Sequence, residues 1–223
     1  MLLTRRAEAQ PVASESYVVY GAQGSGSVAV EAALTLIGAP WRVVDADWDD
    51  FDPVERVNPL RQVPALALPS GELMTESAAI LLHLAEAHPE AGLAPPPGDP
   101  LRPAFLRWMI YVPAAIYPMY WVRDVPSRLA ADSRAESVIL ERTAERIAEC
   151  WGKMNAQVSP GDYILGDRLT MLDLYVAVVS RWTPGRRRFG EVAPKLAGPV
   201  RRVDEDPRLA ALWAERFPPG VSE

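Results

Sequence analysis

The sequence predicts two folded units of different class: an α/β domain followed by an all-helical domain. Three observations carry that reading. Strand and helix signals alternate as far as residue 92. A proline-rich tract, Leu93-Ala-Pro-Pro-Pro-Gly-Asp-Pro100, then interrupts every regular pattern. Beyond it strand signals nearly vanish, and apolar residues recur at spacings of three and four. The expected organisation is a flexible extension over 1–16, an α/β domain over 17–92, a linker over 93–100 and a helical domain over 101–223.

In the first domain, Tyr17-Val18-Val19-Tyr20 is a β-branched and aromatic run closed by Gly21, the mark of a short strand. Ser27 to Leu36 is rich in Ala, Val and Leu and suits a buried helix, with Gly38 as its C-cap. Trp41 to Val44 is a second strand, and strand–helix–strand defaults to a parallel pair with a right-handed crossover. An acidic stretch from Asp45 to Asp52 follows, and Pro59 ends any short helix after it. Ala65–Leu68 and Leu73–Thr75, joined at Ser70-Gly71, read as an antiparallel hairpin, and Ser77 to His88 as a helix. The resulting βαβ–ββα order is thioredoxin-like.

The second domain opens with Leu101 to Arg123, helical in composition but carrying Pro113 and Pro118, each expected to kink or break it. Leu140, Ala144, Ile147, Trp151 and Met154 mark one apolar helix face. Gly166-Asp167-Arg168-Leu169-Thr170-Met171-Leu172-Asp173 reads as a capping box, with Thr170 as cap and Asp173 reaching back from the third helical position. The helix it opens, Met171 to Trp182, is apolar nearly all round, as a central helix should be.

Composition narrows function. The 223 residues are 49% hydrophobic and 23% charged, a globular balance, and the net charge of −6 argues against a nucleic-acid or anionic-membrane partner. Residues 1–16 lack the apolar core of a signal peptide, and no apolar run reaches membrane-spanning length, so a cytoplasmic protein is expected. A single cysteine, Cys150, allows no internal disulfide and reads as buried packing. With only His83 and His88 beside it, no metal centre is expected.

Two features of the stretch from Gln62 to Glu86 exceed what folding requires. Pro64 stands at the mouth of an apolar strand, where it donates no ladder hydrogen bond. Glu76-Ser77 places a carboxylate and a hydroxyl at a helix entry, where backbone N–H groups point outward. An opened strand edge beside a polar helix N-terminus can hold a peptide-like ligand. The combination resembles the glutathione-binding half of the cytosolic glutathione S-transferases, in which a cis-proline follows a hydrophobic residue and Glu/Gln-Ser begins the next helix. The capping box about a hundred residues later resembles the one in that family's helical domain, so the resemblance extends from Tyr17 to about Phe217.

The resemblance implies glutathione as co-substrate, a hydrophobic electrophile, detoxifying conjugation and a homodimer. It assigns the backbone of Val63, aimed by cis-Pro64, to the cysteinyl unit, with Gln62 near the ligand backbone. Glu76 falls to the γ-glutamyl ammonium, and Ser77 with its helix N-terminus to the carboxylate. For the glycyl carboxylate the available cations are Arg56 and Arg61, opposite Asp45, Asp47, Asp49, Asp50 and Asp52. Lowering a thiol pKa by two units from about 8.5 takes about 2.7 kcal/mol. A helix N-terminus supplies roughly 0.3–1 kcal/mol, up to about 2 when partly buried, and a hydroxyl bonded to an ion roughly 1.5–3. Both are needed, so a hydroxyl just before the first helix is expected, as in serine-type members. Gln23-Gly24-Ser25-Gly26-Ser27 offers two. Ser25 lies in the loop and is the first candidate; Ser27 is the better helix N-cap, and either register remains open. Trp108, Tyr111, Tyr117, Tyr120 and Trp121 are candidates for an electrophile pocket, or for core packing. A noncatalytic interaction module of this fold, and a glutathione-dependent isomerase or reductase, are the alternatives. The missing loop cysteine disfavours the last two.

Overall fold

A computed structural model describes residues 16–46 and 52–218. The expected extension therefore lies almost wholly outside the described residues, as do Asp47, Asp49 and Asp50. Strand β1 (Tyr17–Gly21) and strand β2 (Trp41–Asp45) pair in parallel across helix α1 (Ser27–Ile37), with Tyr17 opposite Trp41. Gly38 ends α1 at φ 75°, where its N–H reaches the carbonyls of Leu34 and Thr35, as its sequence position implied. Helix α2 (Asp52–Glu55) is a single turn. Strands β3 (Ala65–Ala67) and β4 (Leu73–Thr75) form the hairpin, and β3 also pairs antiparallel with β1, Val19 facing Leu66. The four-stranded mixed sheet runs β2-β1-β3-β4. Helix α3 (Ser77–Ala87) packs beside α1 and completes a thioredoxin-like domain.

The rest is helical: α4 (Arg102–Tyr111), α5 (Tyr117–Asp124), α6 (Ser133–Gln157), α7 (Met171–Val179), α8 (Gly185–Val192), α9 (Pro194–Asp204) and α10 (Ala210–Arg216). The two prolines expected to break the first of these do so only in part. Between α4 and α5 the backbone continues as a π-helical turn, Val112–Ile116, that begins at Pro113's neighbour. Widening the turn accommodates the missing amide of Pro113, and Pro118 falls in the first turn of α5, where an unpaired position costs little. On α6, Ile147, Trp151 and Met154 are buried as the spacing predicts, whereas Leu140 near its outer end is 38% exposed.

Helix α7 is buried along its whole length and contacts both α1 and α3, so one continuous apolar core joins the two halves. Its start is set by Asp173, which accepts the Thr170 N–H and hydroxyl at 2.8 Å each and the Ile164 N–H at 2.7 Å. Burial pushes the Asp173 carboxyl up to about 6, against those hydrogen bonds.

Candidate active site

The loop from β1 into α1 carries both candidate serines. Gly26, not Ser27, is the N-cap of α1, and Ser27 is its first helical residue. The expected cap is therefore displaced by one residue, because the Ser27 side chain has an inward partner: its hydroxyl donates to Glu31 Oε1 at 2.9 Å. Ser25 Oγ accepts the Ser27 N–H at 3.2 Å and the Ala22 N–H at 3.3 Å, and lies 3.0 Å from Ser27 Oγ. Since Ser27 commits its only proton to a carboxylate, Ser25 is the donor in that hydroxyl pair. Neither serine is open to solvent; Ser25 is 8% exposed and Ser27 fully buried.

Glu31 is the only charged residue of α1 and is completely buried. Burial raises its pKa, while Arg216 and the Ser27 hydroxyl oppose the rise. Arg216 of α10, itself 3% exposed, meets Glu31 at 2.6 Å through Nε and Asp45 of β2 at 2.7 Å through Nη1. The loop is also fastened from the helical side. The Gly24 N–H donates to the Arg216 carbonyl at 3.0 Å, Gln23 Nε2 to the Glu215 carbonyl at 2.7 Å, and Trp182 Nε1 to the Gly24 carbonyl at 2.7 Å. Sequence reasoning missed this network. Its one legible signal was a lone glutamate in an otherwise apolar helix.

The second cluster lies alongside. The Val63–Pro64 bond is cis, and Val63 packs against Ala22 of the serine loop together with Ala46 and Val54. Gln62 is exposed, its carbonyl accepting from Asn58 Nδ2 at 2.8 Å. Glu76 is the N-cap of α3 and holds φ 68°, ψ 103°, a conformation few non-glycine residues adopt. Its side chain is exposed, whereas Ser77 is buried with Oγ 2.6 Å from the Tyr175 hydroxyl of α7. Burial pushes Tyr175 up to about 12, so it keeps its proton. With Tyr175 donating, the Ser77 hydroxyl hydrogen is left for another acceptor. Of the candidate cations, Arg61 lies 3.7 Å from Glu55 and Arg56 is exposed.

The aromatic candidates separate into three places. Trp108 and Tyr111 pack edge to face at 5.0 Å, and the Tyr111 hydroxyl donates to the Cys150 carbonyl at 3.0 Å, inside the helical core. Trp121 is on the surface beneath Arg128. Tyr117 and Tyr120 meet the Trp182 ring, which bonds the serine loop, at 5.1 and 5.0 Å. Both hydroxyls are buried; that of Tyr120 has no hydrogen-bond partner among the described residues, and that of Tyr117 lies beside the Tyr175 and Ser77 hydroxyls. A Cβ built on Gly26 would come within 2.7 Å of Tyr117 Oη, so that hydroxyl sits at the N-cap of α1.

A four-stranded mixed sheet carrying a cis-proline, two polar helix entries and a helical second half defines the glutathione-transferase fold. Residues 19–92 match the family described as the glutathione S-transferase N-terminal domain. The uncharacterized GST-like protein YncG of Escherichia coli K12 is 34% identical over 86% of this chain and 94% of its own length. Glutathione S-transferase GstA of Escherichia coli O157:H7 is 28% identical over 86% of the chain and 95% of its own. The crystal structure of a glutathione transferase homolog from Sulfitobacter, with bound glutathione, superposes with a TM-score of 0.79 at 25% identity, covering 90% of this chain and 98% of that one. The chain belongs to the glutathione S-transferase family.

Proposed function

We propose that this protein binds glutathione and transfers it to a hydrophobic electrophile. The observation that carries the reading is Glu76, an exposed carboxylate held at positive φ on the N-cap of α3. Backbone strain of this kind, at roughly 1–3 kcal/mol, persists where function requires it. The γ-glutamyl ammonium meets Glu76, and its carboxylate meets the free Ser77 proton and the α3 amides. The backbone beside cis-Pro64 pairs with the cysteinyl unit as an added strand, with Gln62 at its edge. The thiol then lies toward the loop that Val63 touches through Ala22. There Ser25 releases its hydrogen bond to Ser27 and donates to the thiolate, while its lone pairs stay with two amides. Tyr117 and Tyr120 line the electrophile side, and proximity of the two substrates supplies most of the rate. The domains divide at 17–92, 93–100 and 101–223. Leu106 and Ile110, exposed four residues apart on α4, offer an apolar face for a homodimer. The near-complete burial of both serines favours, as second reading, a glutathione-binding module without turnover.

Calorimetric titration with glutathione tests the first step, and absence of binding at millimolar concentration overturns it. Ser25→Ala is expected to lower conjugation of an activated aryl halide about tenfold or more, the loss of one hydroxyl–ion bond, with affinity nearly unchanged. A larger loss from Ser27→Ala would move the reactive hydroxyl by two positions.

A further inference from the structure

Glu31 is a costly residue to place inside an apolar helix. Replacing a buried ion pair by apolar side chains of similar volume is often neutral or stabilising, so stability alone does not call for the Glu31–Arg216 pair. The two oxygens of the carboxylate serve separate partners. Oε2 accepts from Arg216 Nε at 2.6 Å, and Oε1 accepts the Ser27 hydroxyl at 2.9 Å. Room for the second contact is kept at Gly21, the last residue of β1, which is not at positive φ and so needs no glycine for its backbone. A side chain there would collide with Ser27 Oγ and crowd Glu31 Oε1. Strand β1, helix α1 and helix α10 thus converge on one hydroxyl–carboxylate contact.

That contact bears on the serine loop. With its proton given to Glu31, Ser27 Oγ is left to accept, and Ser25 Oγ stands 3.0 Å from it, held also by the N–H groups of Ala22 and Ser27. Ser25 is 8% exposed, while Ser27 and Glu31 are completely buried, so it is the outer end of the series Ser25–Ser27–Glu31–Arg216. Arg216 is itself fixed from its far side by Asp45, 2.7 Å from Nη1, and a planar guanidinium held at two points fixes the carboxylate it meets. Its carbonyl pins the loop backbone too, accepting the Gly24 N–H at 3.0 Å.

Resting on the glutathione reading above, we propose that Glu31 is a positioning residue for the transfer: oriented by Arg216, it fixes the Ser27 hydroxyl and, through it, the placement of Ser25. Glu31 touches neither substrate and exchanges no proton during the reaction. Its effect therefore falls on kcat. On the same reading the tripeptide is gripped through Val63, Glu76 and Ser77, which stand outside this series of contacts, so glutathione affinity depends little on Glu31.

The test compares Ser27→Ala with the double variant Glu31→Leu, Arg216→Met in the full chain. The double variant removes one charge of each sign and refills the buried volume, so denaturation should show much of the stability lost in Arg216→Met recovered. With an activated aryl halide its kcat is expected to fall about fivefold, the loss of one positioning hydrogen bond. Calorimetry should show glutathione affinity changed less than about twofold. Ser27→Ala leaves the ion pair in place and should lose the same factor in kcat, and the triple variant no more than either alone. Wild-type kcat in the double variant would make the pair purely structural and overturn the proposal. So would wild-type kcat in Ser27→Ala, whether or not the double variant folds, or losses that multiply to about twenty-five-fold in the triple variant. Each of these outcomes leaves the glutathione reading standing; failure of the wild-type protein to bind glutathione overturns both.

Discussion

Glu76, proposed to meet the γ-glutamyl ammonium, holds a strained backbone on the N-cap of α3. Its positive φ places the N-cap of α3 in a shape that glycine adopts without steric cost. Glu76→Gly is therefore expected to stabilise the ligand-free protein by about 1 kcal/mol, because relief of backbone strain exceeds the added chain entropy. Chemical denaturation measures that gain, and calorimetry should show glutathione affinity lowered at least about tenfold for want of the carboxylate. A destabilised variant with full affinity would mean that Glu76 shapes the turn and binds nothing. The sequence identified this residue by type and neighbour; its backbone conformation became visible only in three dimensions. For Ser27 the sequence assigned the wrong role, since a serine ahead of an apolar run reads as a cap. Its hydroxyl turns instead toward Glu31, four residues on, whose own orientation is set by an arginine 185 positions away.

Among the elements, the start of α7 was read to the residue, although the helix ends at Val179 rather than Trp182, and the prolines of α4 and α5 were read least well. The capping box lay in contiguous residues, so local chemistry was enough to locate it. The π-helical turn depends on what the following helix packs against, which local propensity does not record. Asp173 adds a pH dependence to α7. Its pKa of about 6 in the folded chain exceeds the ordinary aspartate value, so the folded state holds the proton more tightly than the unfolded state. The associated stability is fully present below about pH 4 and is lost as pH rises to about 6, on the order of 2–3 kcal/mol. Denaturation across this window should show that decline, and Asp173→Asn should flatten it. A decline that survives in the asparagine variant belongs to another group.

At the scale of the molecule, the last described helix closes on the first. Arg216 of α10 joins Glu31 of α1 and Asp45 of β2, and its carbonyl holds the serine loop through Gly24. Removing one partner of a buried ion pair leaves the other uncompensated, so Arg216→Met is expected to lower stability by about 3–5 kcal/mol. Glu31→Leu combined with Arg216→Met should recover much of that loss in the same denaturation measurement. Full additivity of the two substitutions would show that the pair is not energetically coupled.

The sequence by itself determined the class of both domains, the strand and helix order, and the segment from Gln62 to Ser77 on which the family resemblance rests. Each of these is written in neighbouring residues, as alternation, helical spacing, capping and proline placement. Only the tertiary structure decided which hydroxyls are free. Whether a proton is available depends on every acceptor within about 3 Å, and here those acceptors come from α1, α7 and α10. That is why two serines in an obvious loop proved to be internally engaged, one with the other and the second with Glu31.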